Sequence, residues 1–253
     1  MDNICAVFLC NKAYFNYFIS SCTQLITKGN YTGQICLVIG DDLKDSELLD
    51  CDLIKNNNII VKYFPNIIFP REFLDINNKL TQTDGRNINK KFQWHKMYLF
   101  DKFFKKWDYI LYLDCGISIF SDITPILNER TENMLVAHSD SYPMYVWKLH
   151  SQFENNNPIF NELNNQFNLN NDYFQTTMLF YDTNIIQEDT FNNLIELMIK
   201  YPISRTNEQG IIALYFTIIK PCFKQLKINN ENTYFYDFMS RNRNNQYIML
   251  KRG

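Results

Sequence analysis

The stretch Trp107-Asp108-Tyr109-Ile110-Leu111-Tyr112-Leu113-Asp114-Cys115-Gly116 decides the fold. Its unbroken apolar and aromatic run over 109–113 predicts a short β-strand buried on both faces. A lone carboxylate, Asp114, closes the strand, and the small pair Cys115-Gly116 turns the chain into a second apolar run. Similar runs recur upstream at 4–9, 35–39 and 59–64 and downstream at 134–137 and 178–181. Helix-like spacing fills the intervals at 14–26, 92–107, 191–201 and 208–216, the last led by Thr206 or Asn207 as a cap. Buried strands alternating with helices predict an α/β fold, a mainly parallel central sheet flanked by helices on both faces. Sites on such sheets lie beyond the carboxyl ends of the strands. That directs attention to 11–14, 40–42, 114–116 and 139–141.

Composition narrows the classes of function. The 253 residues are 46% hydrophobic and 21% charged, enough to bury a sizeable core. With no internal repeat and no Gly/Ser linker, residues 1–253 are expected to form a single domain. A net charge of −2 argues against a basic nucleic-acid face, so no nucleic-acid partner is expected. No window approaches the ~18 apolar residues of a membrane span, and the start lacks the basic segment of a secretory signal, which points to the cytoplasm. Seven cysteines, odd in number and without a CxxC pair, predict reduced thiols. The 33 asparagines, in runs such as 56–58 and 155–157, read as loop filler. Residues 66–89 read as a long loop, and the tail from 229 has no clear period.

Three segments besides the Asp114 strand carry chemistry. One is 92–104, with Lys96-Met97-Tyr98-Leu99-Phe100; another is Tyr173-Phe174-Gln175-Thr176-Thr177-Met178-Leu179-Phe180; the third is Asn207-Glu208-Gln209-Gly210 and the apolar run after it. In this order and spacing, over about 4–217, the chain resembles the GT-A glycosyltransferases, especially the glycogenin and lipopolysaccharide-galactosyltransferase group, glycosyltransferase family 8. In that group an apolar strand ends Tyr-Leu-Asp-x-Asp, a later strand reads Tyr-Phe-Asn-Ser-Gly-Val-Leu-Leu, and a helix opens Asp-Gln-(Asp/Gly).

The resemblance implies a GT-A-like domain that moves a sugar from a nucleotide-sugar donor, expected to be UDP-linked, to a hydroxyl of a glycan or protein acceptor. It assigns Asn11, Lys12, Tyr14, Lys96, Asp114 and Gly116 to the nucleotide, with Tyr14 stacking on the base. Gln175 and Glu208 are then expected at catalysis, joined by Asp140 from its place beyond the carboxyl end of the strand at 134–137, and Thr176, Asn207 and Gln209 on the acceptor side. Glu208 would serve as general base if the anomeric centre inverts; a retaining reaction needs none.

Mn²⁺ or Mg²⁺ on Asp114 would offset the charge of the leaving diphosphate. Strand positions i and i+2 share a face, so the two acids of Asp-x-Asp converge on one ion. Here the second position is Gly116, and the family's C-terminal His-x-x-Gly-x-x-Lys-Pro-Trp element has no match, the histidines being His95, His138 and His150. Asp140 or the pyrophosphate oxygens themselves then offer replacement ligands, or Lys96, Lys12 or Arg86 neutralises the phosphates without metal. The same departures sustain an alternative, a catalytically inactive GT-A-like domain that binds carbohydrate or protein.

Plainer readings stand beside these. Tyr14 can pack in the first helical turn, His95-Lys96 can be an exposed helix face, Asn207-Glu208-Gln209 can cap a helix, and Asp114 and Asp140 can be turn formers. Asp41-Asp42 reads as a solvated turn and Cys115 as a small filler. Asp114→Ala is expected to abolish transfer at little cost to stability.

Overall fold

In the computed structural model the described residues are 3–80, 91–139, 141–230, 233–237 and 246–251. Among them run eleven strands: β1 (Ile4–Cys10), β2 (Gln34–Ile39), β3 (Ile60–Tyr63), β4 (Tyr109–Asp114), β5 (Ile117–Ile119), β6 (Leu135–Ala137), β7 (Met178–Asp182), β8 (Phe223–Gln225), β9 (Asn229–Asn230), β10 (Thr233–Asp237) and β11 (Gln246–Lys251). Seven of them form the central sheet in the order β3-β2-β1-β4-β7-β6-β8. The pairs β1–β2, β2–β3, β1–β4 and β6–β8 are parallel, as the buried runs predict. Strand β7 is the exception, antiparallel to both β4 and β6.

Strand periodicity divides the core into two layers. Cys5, Val7 and Leu9 of β1 join Ile110 and Tyr112 of β4 on one face; Ala6, Phe8 and Cys10 join Leu111 and Leu113 on the other. The helix Phe15–Thr27 covers the second face with Phe15, Phe18, Cys22 and Leu25, a spacing that keeps one stripe inward. The helices Thr190–Lys200 and Glu208–Leu214 lie on the first face, the latter buried at every residue. Each fully buried Leu, Ile or Phe contributes roughly 1.5–3 kcal/mol relative to exposure. All seven cysteines are free thiols, as expected. No helix among the described residues is long and apolar enough to cross a membrane.

Three expectations change. The segment 92–107 is not an amphipathic α-helix but two 3₁₀ stretches, Lys91–Phe100 and Lys102–Lys106. Asp101 interrupts them, its carboxylate accepting from the Phe103 N–H at 2.8 Å. All of Trp94–Phe100 is buried, because the segment is wedged between the sheet and the two first-face helices; no solvent face exists for amphipathic spacing to mark. The loop 66–89 contains a helix at Arg71–Asn77. The tail contributes β9, β10 and β11, which pair with β5 in a four-stranded sheet, β5-β11-β10-β9. That pairing joins residues 117–119 to 249–251, a separation no local pattern reveals.

Candidate functional site

Strand β4 delivers Asp114 to the carboxyl end of the central sheet, and β7 begins beside it because the two run in opposite directions. The Asp114 N–H donates to the Thr177 carbonyl at 2.9 Å. Thr176 and Gln175 are thereby carried to the same end, as residues before a parallel strand would not be. The 3₁₀ stretch Lys91–Phe100 supplies Lys96 from the first face, and the helix Glu208–Leu214 brings Glu208 in its first turn. Asn207 leads that helix with φ 53° and ψ −127°, a backbone conformation that favours glycine. Ser204 holds it by donating to its carbonyl, and the Asn207 amide donates to Gln93 Oε1.

These elements converge on one ammonium. Lys96 Nζ lies 3.1 Å from Asp114 Oδ1, 3.0 Å from Glu208 Oε1 and 3.5 Å from Thr176 Oγ1. The Lys96 and Glu208 side chains are 5% and 3% exposed, that of Asp114 22%. Thr176 Oγ1 donates to Glu208 Oε1 at 2.9 Å, and the Tyr112 hydroxyl donates to Asp114 Oδ1. Burial by itself would push Lys96 down, but Asp114 and Glu208 overcome it and hold the ammonium above its ordinary value. Burial, reinforced by Asp114, pushes the Tyr112 hydroxyl up, so it remains a donor. Glu208 Oε2 is buried without a hydrogen-bond partner among the described residues. Such an atom costs about 1–3 kcal/mol or more where no ligand satisfies it.

Around this cluster the polar side chains brace one another. Gln209 Oε1 accepts from the Thr176 N–H at 3.2 Å, and its amide donates to Gln152 Oε1 at 2.8 Å; the Thr206 hydroxyl donates to the same oxygen. Thr177 Oγ1 meets the Tyr236 hydroxyl from the tail at 2.5 Å. Asn207 and Gln209 thus brace the helix entry, and neither acts as a side-chain cap. Gln175 is buried, its N–H on the His138 carbonyl. The Cys115 thiol, hydrogen-bonded to the free Cys10 thiol and buried, is held far above its ordinary value, in keeping with a filler and not a nucleophile.

The turn after β1 is a different place. Asn11 Oδ1 accepts from the Tyr14 N–H at 3.2 Å, and the Lys12 N–H donates to Asp42 Oδ2 at 2.9 Å. Asp41 accepts from the Tyr63 hydroxyl at 2.7 Å, so the Asp41-Asp42 pair ties the ends of β1, β2 and β3 together. Tyr14 stands 44% exposed beside Tyr17. His95 is not on an exposed face: it is 2% exposed and stacks on Phe92. Asp140 and Arg86 lie outside the described residues.

The sequence reading missed Tyr112, Gln93, Gln152 and Tyr236. Tyr112 was within reach, standing two residues before Asp114 on the same strand face. The others come from distant segments without a local signal.

No protein-family model matches this chain, and no curated protein matches it. Solved structures do. The galactosyltransferase LgtC, solved with donor and acceptor sugar analogs, superposes with a TM-score of 0.60 at 13% identity, over 98% of this chain and 86% of that one. The bifunctional glycosyltransferase WbbM gives 0.59 at 12% identity, over 98% of this chain and 45% of its own. The glycosyltransferase GlyE of Streptococcus pneumoniae gives 0.55 at 15%, over 90% and 46%. The chain therefore spans most of LgtC and less than half of the other two. Its fold is the GT-A-like fold of these glycosyltransferases.

A divalent cation at Asp114 is what that fold implies, and the described residues do not fit one. Asp114 Oδ1 already serves Lys96 and Tyr112. At Gly116 there is no second carboxylate, and a Cβ built there meets nothing within 4 Å. Among the described residues no three His, Cys, Asp or Glu side chains gather to hold a metal.

Proposed function

We propose that the chain is a glycosyltransferase moving a sugar from a nucleotide-sugar donor, UDP-linked, to a hydroxyl of a glycan or protein acceptor. The observation that carries this reading is the buried Lys96 joining Asp114 to Glu208 at the carboxyl end of the sheet, in the GT-A-like fold. A charge cluster that opens to solvent at Asp114, 22% exposed, and leaves one carboxylate oxygen without a partner among the described residues suits a polyhydroxyl ligand better than a purely structural role.

In the proposed reaction the bond between the sugar C1 and the diphosphate oxygen breaks and an acceptor hydroxyl oxygen bonds to C1. The diphosphate departs with the electron pair, and the acceptor gives up its proton. Lys96, charged and fixed, supplies positive potential beside the leaving group without reorganising. In an inverting reaction Glu208 takes the acceptor proton; in a retaining one the proton leaves on the departing diphosphate. Gln175 and Thr176 flank the donor sugar; Gln209 and Asn207 keep Glu208 in register. Tyr14, open to solvent above the β1 turn, stacks on the base, with Asn11 and Lys12 at ribose and phosphate.

A thermal-shift panel of UDP, GDP, CDP and their sugars, each with and without Mn²⁺, tests the reading. A ligand at 100 times its Kd adds about 2.7 kcal/mol of stability. A UDP or UDP-sugar response is expected; silence from every nucleotide would favour the inactive binding module.

A further inference from the structure

We infer that Lys96 is the resident cation of this site, standing where a carboxylate-held metal ion would stand, and that the protein alone has no divalent-cation site at Asp114. The inference does not depend on which donor is bound.

Two carboxylates from different elements, Asp114 at a strand end and Glu208 at a helix start, share a single ammonium at 3.1 and 3.0 Å. A bridging metal makes the same kind of link. Removing the charge would leave the buried Glu208 carboxylate and the partly exposed Asp114 carboxylate facing each other, an arrangement that a cation stabilises. A divalent ion on Asp114 would have to sit beside an ammonium already bound to Oδ1, and would be repelled by it.

Its ligands are also too few. Mg²⁺ and Mn²⁺ want six oxygen or nitrogen ligands, and one half-engaged carboxylate offers one or two. The position two residues on that would add another is Gly116, in the turn between β4 and β5, opening on empty space. The histidines are placed elsewhere. His95 packs on Phe92, with Nε2 3.3 Å from a Cβ built on Gly40. His138 lies edge-on to Tyr142 and Tyr236, and His150 is exposed.

The test is an Mn²⁺ titration of the full chain without nucleotide, read by the electron paramagnetic resonance of the free ion. No saturable binding is expected from the wild type. One-to-one saturable binding would overturn the inference, including binding contributed by Asp140. In a second arm UDP is added: Mn²⁺ bound only in its presence rides on the nucleotide and agrees with the inference. A UDP that fails to bind at all counts against the proposed function and leaves the first titration valid.

Lys96→Gln keeps a hydrogen-bond donor and removes the charge. Folded by circular dichroism, it should show saturable Mn²⁺ binding that the wild type lacks, because Asp114 Oδ1 and Glu208 Oε1 are both released from Lys96, and gain melting temperature from it. A folded variant with no such gain would overturn the substitution of lysine for metal. If it does not fold, the wild-type titration decides.

Discussion

Two neighbouring turns at the same end of the sheet are built in opposite ways. After β4, charged side chains are buried and bound to one another, with Lys96 locked by Asp114, Glu208 and Thr176. After β1, the hydrogen bonds are spent on the backbone, and the side chains of Lys12 and Tyr14 remain outside. The first turn is preorganised and costly to alter; the second is cheap to alter and free to adapt to a ligand. Stability and binding should therefore separate between them.

The sharpest break would come from Lys96→Ala. Removing one partner of a buried ion pair costs about 3–5 kcal/mol, to be read from urea unfolding at pH 7, and transfer should be lost. A loss under about 1 kcal/mol, the range of exposed pairs, would show that the cluster is solvated.

Next is a pH effect at His95, the residue beside Lys96 that packs against Gly40 in the second region. Burial lowers its imidazole from 6.5 to about 4, so the folded protein keeps it neutral while the unfolded chain takes up a proton. Stability is then complete above about pH 6.5 and falls as the pH drops toward 4, by on the order of 3 kcal/mol in total. His95→Phe should flatten that slope; an unchanged slope in the variant would assign it to other groups.

Asp114→Ala should abolish transfer and cost about 1–3 kcal/mol, because Tyr112 loses its acceptor and Lys96 half of its pairing. This corrects the expectation of a nearly silent change, which treated Asp114 as an exposed strand end. Unfolding curves coincident with wild type would restore that view.

The mildest stability effect is expected at the open turn. Tyr14→Ala should shift unfolding by less than about 0.5 kcal/mol while weakening nucleotide binding by about 1–3 kcal/mol, the worth of a base–aromatic stack. Isothermal titration with UDP distinguishes this from a packing role, in which stability falls and affinity holds.

Much of the fold was legible because strand burial has a two-residue period and helix burial a longer one. The runs at 4–9, 35–39, 109–113 and 178–181 became strands of the central sheet, and Asp114 closed the most apolar of them. The segment 92–107 misled because its spacing resembles a helix while its first part, Trp94–Phe100, is buried on every side. The tail gave no signal because its partner, β5, lies more than a hundred residues earlier.

The sequence by itself determined where buried strands begin and end, which faces their side chains take, and that one carboxylate ends β4. Those are properties of short windows. Only the tertiary structure decided that β7 runs antiparallel to β4, which puts Thr176 and Gln175 beside Asp114. It alone decided that residues 96, 114 and 208 meet around one ammonium. Pairing direction and ion clustering are set by contacts between distant segments, and no local period records them.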